Sequence, residues 1–555
     1  MFLNIFKNKT RVFLYFVFIN LPLFILTFDT TNWSDDYQYT NLIALKARIS
    51  PVLSVILDTT GGNTQGGHFA PVYNLINIVI TAISTDPRFF HFIVLLCYVV
   101  TAFLVYLIVM EYYGDKAAAL LAGTLFALNY YIAFKALNRN TFHSHATNTL
   151  TGAASIYFFV TYLKSKKKFR LGLSLLFLLV TFLNYESGFV FPLILLVIAG
   201  FALMCRQISW RKSIALGLVI ILVTALFPLG AYLNTGKAVP LSYRFGWQRN
   251  AGGYAYNTTE LFIKSTGLSF FYYKFIVDDF KHNPGLMENL KGWIRNNQPL
   301  RLKDIPAGPT FAVALSIALG IAFLVFMAMV ALPAMRRQTY LFAAIYLCLL
   351  GVYIFVFYRF DVANAIAIFA AIVIADIIIT LLRSKGVRRK AGLALISLYL
   401  IVTGAAIFDR FDDCYKKSFF GLSKVAIQGP EKIYIEINKQ IGHYVKDGLI
   451  IFSHDYSRFH SYSGYERIGD MLGEGDLACF NAAVFYKEAI RDKSILEHKD
   501  DSLEGFARFI SPKGKKVTVT SKIQALEYLR KNNIDTKSVA ALYISPDYQV
   551  VKLVI

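Results

Sequence analysis

The sequence predicts an α-helical polytopic membrane protein, with about 11 transmembrane helices, that ends in a small α/β soluble domain. Three observations predict it. Of the 555 residues, 56% are hydrophobic and only 17% charged, where a soluble domain carries roughly 25% charged residues. The first 408 residues hold a series of apolar runs, most of them long enough to cross a bilayer, separated mostly by short basic turns. The stretch 409–555 has no such run and instead shows short apolar segments set among polar residues. This composition excludes a disordered chain, a coiled coil and a disulfide-stapled secreted module.

A spanning helix needs about 17–25 mostly apolar residues. The candidate runs are 11–28, 68–84, 89–110, 117–137, 146–163, 170–184, 187–204, 213–233, 310–333, 339–358, 361–382 and 391–408. The first run is too long for a signal-peptide apolar region and shows no clear small-residue cleavage site, so it reads as a retained anchor.

Charge decides which runs cross. The chain has 57 basic and 35 acidic residues, a net +22. The tail is near neutral, with 22 basic and 20 acidic residues, so the excess lies in the first 408 residues. It falls in clusters such as Lys164, Lys166, Lys167, Lys168 and Arg170, then Arg206, Arg211 and Lys212, then Arg336 and Arg337, then Arg383, Lys385, Arg388, Arg389 and Lys390. Short basic turns between apolar runs are the positive-inside pattern, not a nucleic-acid surface. If all the runs span from a cytoplasmic N-terminus, these clusters land outside; if 68–84 does not span, all of them move inside. That run is also the poorest candidate, because it contains His68, Pro71, Asn74 and Asn77 and is followed by Asp86 and Pro87. It therefore reads as a re-entrant or interfacial helix buried against protein. The outer face then carries loop 29–88, loop 234–309 and the domain 409–555. The bookkeeping suits a bacterial inner membrane, with the N-terminus cytoplasmic and the C-terminal domain periplasmic; an endoplasmic reticulum membrane satisfies it as well.

Candidate chemistry collects on that outer face. Asp35, Asp36 and Tyr37 follow the first span; adjacent carboxylates can take a proton from an acceptor or recruit a cation, or simply cap a helix. His68 follows a glycine-rich stretch and opens the run that does not span, where it can meet an anion or sit as an interfacial histidine. Arg139 and His143 lie near the outer end of the third span, and His143 and His145 are spaced too closely to share one helix face as a zinc pair. Glu186 lies in the turn Asn184-Tyr185-Glu186-Ser187-Gly188, where an acid between apolar runs needs a partner. Arg359 is the basic residue of a later outer turn and suits a phosphate, or pairs with Asp361. Asp376, inside a span toward its cytoplasmic end, reads as structural. Cys97, Cys205 and Cys348 lie in or beside spans, and no spacing rule pairs Cys414 with Cys479. Loop 234–309 mixes aromatic and basic residues, as interfacial helices over a site would.

In this order and on one face, the pieces resemble the GT-C superfamily of integral-membrane glycosyltransferases, the protein O-mannosyltransferases and bacterial aminoarabinose transferases in particular. Asp35-Asp36-Tyr37 resembles the family's acidic pair after the first span. His68-Phe69-Ala70-Pro71 looks like its proline segment, Tyr185-Glu186-Ser187-Gly188 with Pro192 its acidic outer turn, and Tyr358-Arg359-Phe360 its late arginine turn. Ala70 stands where the family often has a basic residue, and Tyr185 where it has lysine.

The resemblance implies a polyprenyl-phosphate sugar donor among the membrane lipids, and an acceptor that is a protein, lipid or glycan. It implies Asp35 as general base, Asp36 as orienting residue or ligand of a divalent cation, and Arg359, His68 and Arg139 at the donor phosphate. Glu186, His143 and Tyr37 support them. No cofactor is certain, and a metal is an open question. The competing reading is a transporter or flippase of a lipid-linked or anionic substrate, but transporters usually hold their ionisable residues near the midplane. In the tail, Leu449–His454, Val539–Ile544 and Val550–Ile555 predict strands and Lys522–Asn532 a helix.

Overall fold

The structure is a computed structural model. It describes residues 8–26, 52–57, 69–83, 87–129, 143–185, 188, 190–235, 261–262, 264–267, 337–356, 364–417, 448–453, 482–486, 506–510, 516–519, 527, 530–531, 533, 539–544 and 550–553. The chain divides into two compact units. One comprises 1–27, 92–137 and 142–413, the other 28–91, 138–141 and 414–555.

The first unit is a helical bundle. It opens with α1 (Lys9–Ile19) and α2 (Leu21–Leu26). Asn8 caps α1, its side chain accepting from the Thr10 N–H at 2.9 Å. The expected single run 11–28 is broken at Asn20, whose Nδ2 turns back to the Phe16 carbonyl at 2.8 Å. Pro22 follows in the first turn of α2, where its missing N–H has no helical acceptor to lose.

Next come α5 (Pro87–Tyr113), α6 (Lys116–Ala127), α7 (His143–Ser165), α8 (Lys168–Asn184), α9 (Val190–Met204), α10 (Trp210–Thr235), α11 (Arg337–Val356), α12 (Asn364–Arg383) and α13 (Val387–Lys417). Between α2 and α5 in the chain, α3 (Val52–Ile56) and α4 (Pro71–Ile83) belong to the second unit. Helix α13 runs through residue 408, so the apolar run 391–408 does not mark a helix end. Run 310–333 lies outside the described residues.

Three of these helices are long and apolar enough to cross a membrane, at Phe89–Tyr113, Trp210–Leu233 and Ala365–Arg383. Their surroundings differ: the apolar window of α12 is 83% buried and that of α10 only 22%. A helix apolar all round is stable in the first setting by protein packing and in the second only by lipid. Helix α12 thus lies inside the bundle, and α10 at its surface.

Close packing depends on small residues. A Cβ on Gly123 of α6 would lie 2.4 Å from Phe16 Cζ and 2.9 Å from the Ala102 carbonyl. Only glycine lets α1, α5 and α6 meet there. Helices α7 and α8 form a hairpin with a polar seam. Ser155 Oγ donates to the Ser174 carbonyl at 2.8 Å, and Ser174 Oγ donates to the Ser155 carbonyl at 2.9 Å. Thr181 Oγ1 donates to Thr151 Oγ1 at 2.7 Å, and Phe158 stacks on Phe177. Between helices in lipid, such small and hydroxylated side chains replace the hydrophobic drive that water would supply.

The basic turns gather on one face of this unit. Asp115, before α6, caps that helix through Ala117 N at 3.1 Å and binds both terminal nitrogens of Arg383, with Nη2 at 3.0 Å from Oδ1. Lys164 pairs with Glu111 at 3.7 Å. Lys166 Nζ donates to the Gln207 carbonyl at 3.3 Å. The ends of α5, α7, α9 and α12 therefore share one side. Near it, buried Asp376 accepts a hydrogen bond from Thr339 Oγ1.

The second unit includes α3 (Val52–Ile56), α4 (Pro71–Ile83) and a six-stranded sheet. The strands are β1 (Gly448–Ser453), β2 (Ala482–Tyr486), β3 (Phe506–Ile510), β4 (Lys516–Val519), β5 (Val539–Ile544) and β6 (Val550–Leu553), in the order β4-β3-β2-β1-β5-β6. β1 is central and parallel to both β2 and β5, with Ile450 opposite Ala483 and Ala541. The outer pairs β2–β3, β3–β4 and β5–β6 are antiparallel. The near-continuous apolar run of β1 suits a central parallel strand. Of the expected helix Lys522–Asn532, only Glu527, Arg530 and Lys531 are described, all helical.

Candidate active site

Most residues that the sequence singles out lie outside the described residues: Asp35, Asp36, Tyr37, His68, Arg139, Glu186 and Arg359. His143 is the first residue of α7, and its side chain is likewise outside. The structure describes the supports immediately beside several of them.

Helix α4 starts three residues after His68. Its thirteen residues extend about 20 Å at 1.5 Å per residue, short of the roughly 30 Å of a hydrocarbon core. Its polarity is inverted relative to a soluble surface helix. Tyr73, Asn74, Asn77 and Ile80 are buried, while Leu75, Val79 and Ile83, at i, i+4 and i+8, are exposed. The polar stripe faces protein and the apolar stripe faces out, as a helix lying against lipid requires. Asn74 Nδ2 donates to the Ile56 carbonyl at 3.1 Å, tying α4 to α3. Phe69 and Ala70, next to His68 in sequence, are buried.

The end of the α7–α8 hairpin remote from the basic face carries a second support. Asn184 Nδ2 donates to Asn148 Oδ1 at 2.7 Å, and Asn148 Nδ2 donates to the Tyr185 carbonyl at 3.1 Å. The His145 ring meets Tyr185 edge-on, with centroids 4.8 Å apart. Gly188 N–H returns to the Tyr185 carbonyl at 2.9 Å, and a Cβ on Gly188 would meet the Thr181 carbonyl at 2.7 Å. The turn that contains Glu186 is therefore held at both ends. Sequence reasoning weighed His145 and noted Tyr185, but not the Asn148–Asn184 pair. The readable signal was an asparagine on each of two neighbouring spans, since a polar side chain among apolar runs needs a partner.

A third feature is new. In loop 234–309 the described residues 261–262 and 264–266 are helical, and Lys264 is only 4% exposed. Asn129 Nδ2, about 20 Å along the chain axis from Asp115, donates to the Lys264 and Ser265 carbonyls at 3.1 and 3.3 Å. Ser265 Oγ and the Tyr346 hydroxyl are 3.0 Å apart. The loop thus sends one helical turn, with a buried lysine, into the bundle. Among its many basic neighbours in sequence, nothing marked Lys264 out. Among the described residues, no three His, Cys, Asp or Glu side chains gather as a metal site would need.

No family model and no curated protein matches this chain. Solved structures do. It is similar to ArnT from Cupriavidus metallidurans in the apo state, at 10% identity and TM-score 0.45, over 92% of this chain and 98% of that one. It is similar to the archaeal oligosaccharyltransferase AglB from Archaeoglobus fulgidus, in complex with an inhibitory peptide and a dolichol-phosphate, at 13% identity and TM-score 0.43, over 93% and 74% of the two chains. It is also similar to the arabinosyltransferase EmbB from Mycobacterium smegmatis, at 11% identity and TM-score 0.34, over 77% and 40%.

Proposed function

We propose that the chain transfers a monosaccharide from a polyprenyl-phosphate donor to an acceptor on the outer face of the membrane. The acceptor hydroxyl attacks the anomeric carbon while Asp35 takes its proton. The bond from that carbon to the phosphate oxygen breaks, and polyprenyl phosphate leaves with its charge met by Arg359, His68 and Arg139. A single displacement inverts the anomeric configuration. Asp36 orients the acceptor or holds a divalent cation, with Tyr37, Glu186 and His143 in support. The functional division near residue 408 separates this machinery from a domain that helps choose the acceptor.

The observation that carries the reading is α4. A helix too short to span, with its apolar stripe outward, supports the parity that puts loop 29–88, the basic turns and the tail on their assigned sides. The make-up of the second unit agrees: 28–91, 138–141 and 414–555 are all outer-face stretches by charge bookkeeping. The first two are the stretches of sequence in which Asp35, Asp36, Tyr37, His68 and Arg139 lie. The test uses the full chain reconstituted with a polyprenyl-phosphate sugar and cell-envelope acceptors. Asp35→Asn abolishes transfer, with a drop of at least about 100-fold, at an unchanged melting temperature. Full activity in that variant refutes the assignment.

A further inference from the structure

A cavity of about 550 Å³ opens on the basic face of the first unit. Buried Val160, Ile198 and Ala202 line it, and exposed Lys164 and Lys166 stand at it. Its size is that of a small-molecule site, and its lining is divided as an amphiphile is, apolar within and cationic at the edge.

Two further observations point to an anionic occupant. Lys166 and Arg206, the residues that turn the chain after α7 and α9, both adopt left-handed backbone, with φ of 56° and 57°. Helix ends normally place glycine or asparagine there, because a Cβ is strained in that conformation. Both positions nevertheless carry a long cation. Around them Lys167, Lys168, Arg211 and Lys212 are exposed, and Glu111 pairs with Lys164. Exposed Phe169, Met204 and Trp210 flank the same two turns, with Arg211 lying over the Trp210 ring. Aromatic and apolar side chains exposed beside cations mark the level of lipid headgroups.

We infer that this cavity binds the phosphate headgroup of an anionic phospholipid from the leaflet on the basic face. Lys164 and Lys166 meet the phosphate, and the apolar wall takes the start of the acyl chains. The inference does not depend on the transfer reaction.

The test is lipid binding to the detergent-purified full chain by native mass spectrometry, with phosphatidylglycerol and phosphatidylcholine as probes. Phosphatidylglycerol is retained in preference. Its affinity falls about fivefold for each of Lys164→Gln and Lys166→Gln, as loss of one cation near a charged headgroup implies. Lys166→Gly separates binding from folding, because glycine suits the left-handed turn. Its melting temperature is unchanged or higher while phosphatidylglycerol affinity drops by the same factor. Equal retention of the two lipids, or unchanged affinity in the lysine variants, overturns the proposal. Displacement of the lipid by low-millimolar inorganic phosphate also overturns it, by assigning the site to a soluble anion.

Discussion

Asn184→Ala removes one amide from the two-bond chain that closes the end of the α7–α8 hairpin remote from the basic turns. Asn184 is fully buried. Its Nδ2 reaches Asn148 Oδ1 at 2.7 Å, and the Asn148 amide in turn holds the Tyr185 carbonyl at 3.1 Å. Losing the partner of a buried polar atom costs about 1–3 kcal/mol in a water-soluble protein. Between helices in a bilayer the figure averages about 0.6 and reaches about 1.7 kcal/mol, because separated helices find other partners in the membrane. With the packing lost on truncation, the expected destabilisation is about 1–2 kcal/mol. A double-mutant cycle with Asn148→Ala isolates the bond, with a coupling energy of about 0.6–1.7 kcal/mol. Reversible unfolding in mixed micelles, followed by tryptophan fluorescence, reads both numbers. Coupling within about 0.3 kcal/mol of zero refutes the described pairing.

Gly152→Ala places a Cβ 2.2 Å from the Phe191 ring; since Phe191 is 2% exposed, the ring has nowhere to go, and the variant loses about 1–3 kcal/mol. Adding Phe191→Leu recovers part of that loss in the same unfolding measurement. Thr339→Val takes the hydroxyl donor from buried Asp376 and costs about 0.6–1.7 kcal/mol, the range of a hydrogen bond between helices in a bilayer. Thr339→Ser, which keeps the hydroxyl, stays within about 1 kcal/mol of the parent. Asp115→Ala loses both the cap of α6 and the Arg383 pair, whose arginine is 56% exposed. The expected cost is about 1 kcal/mol for the cap and under about 1 for the screened ion pair. Arg383→Gln isolates the smaller part, and high salt erases it.

Much of the bundle was legible because a bilayer imposes length and polarity together. A span must be apolar for about twenty residues, so α5, α10 and α12 stand out in any window. Helix α4 was legible for the opposite reason. Asn74 and Asn77 spoil an apolar run at helical spacing, and both prove to face protein. Pairing between helices left no comparable trace. Asn148 and Asn184 are thirty-six positions apart, and no local period links them. The burial of Lys264 depends on Asn129 and Tyr346 closing over a loop, which its own sequence does not encode. In the tail, β1, β5 and β6 read as apolar runs, whereas Ala482–Tyr486, Phe506–Ile510 and Lys516–Val519 are short stretches that acquire meaning through their neighbours in the sheet. Site residues were proposed by chemistry and order. The geometry speaks to their supports at His145, Asn148 and Tyr185 and along α4.

The reciprocal serine bonds between α7 and α8 bear on how the chain enters the bilayer. Alone, each helix would carry asparagine, threonine and serine side chains into hydrocarbon. Joined by the two-residue link at Lys166 and Lys167, the helices can hide those groups against each other before either meets lipid. A register slip of one residue would part Ser155 from Ser174 and turn the seam outward. The hairpin is therefore suited to leave the insertion machinery as a single unit, already in register.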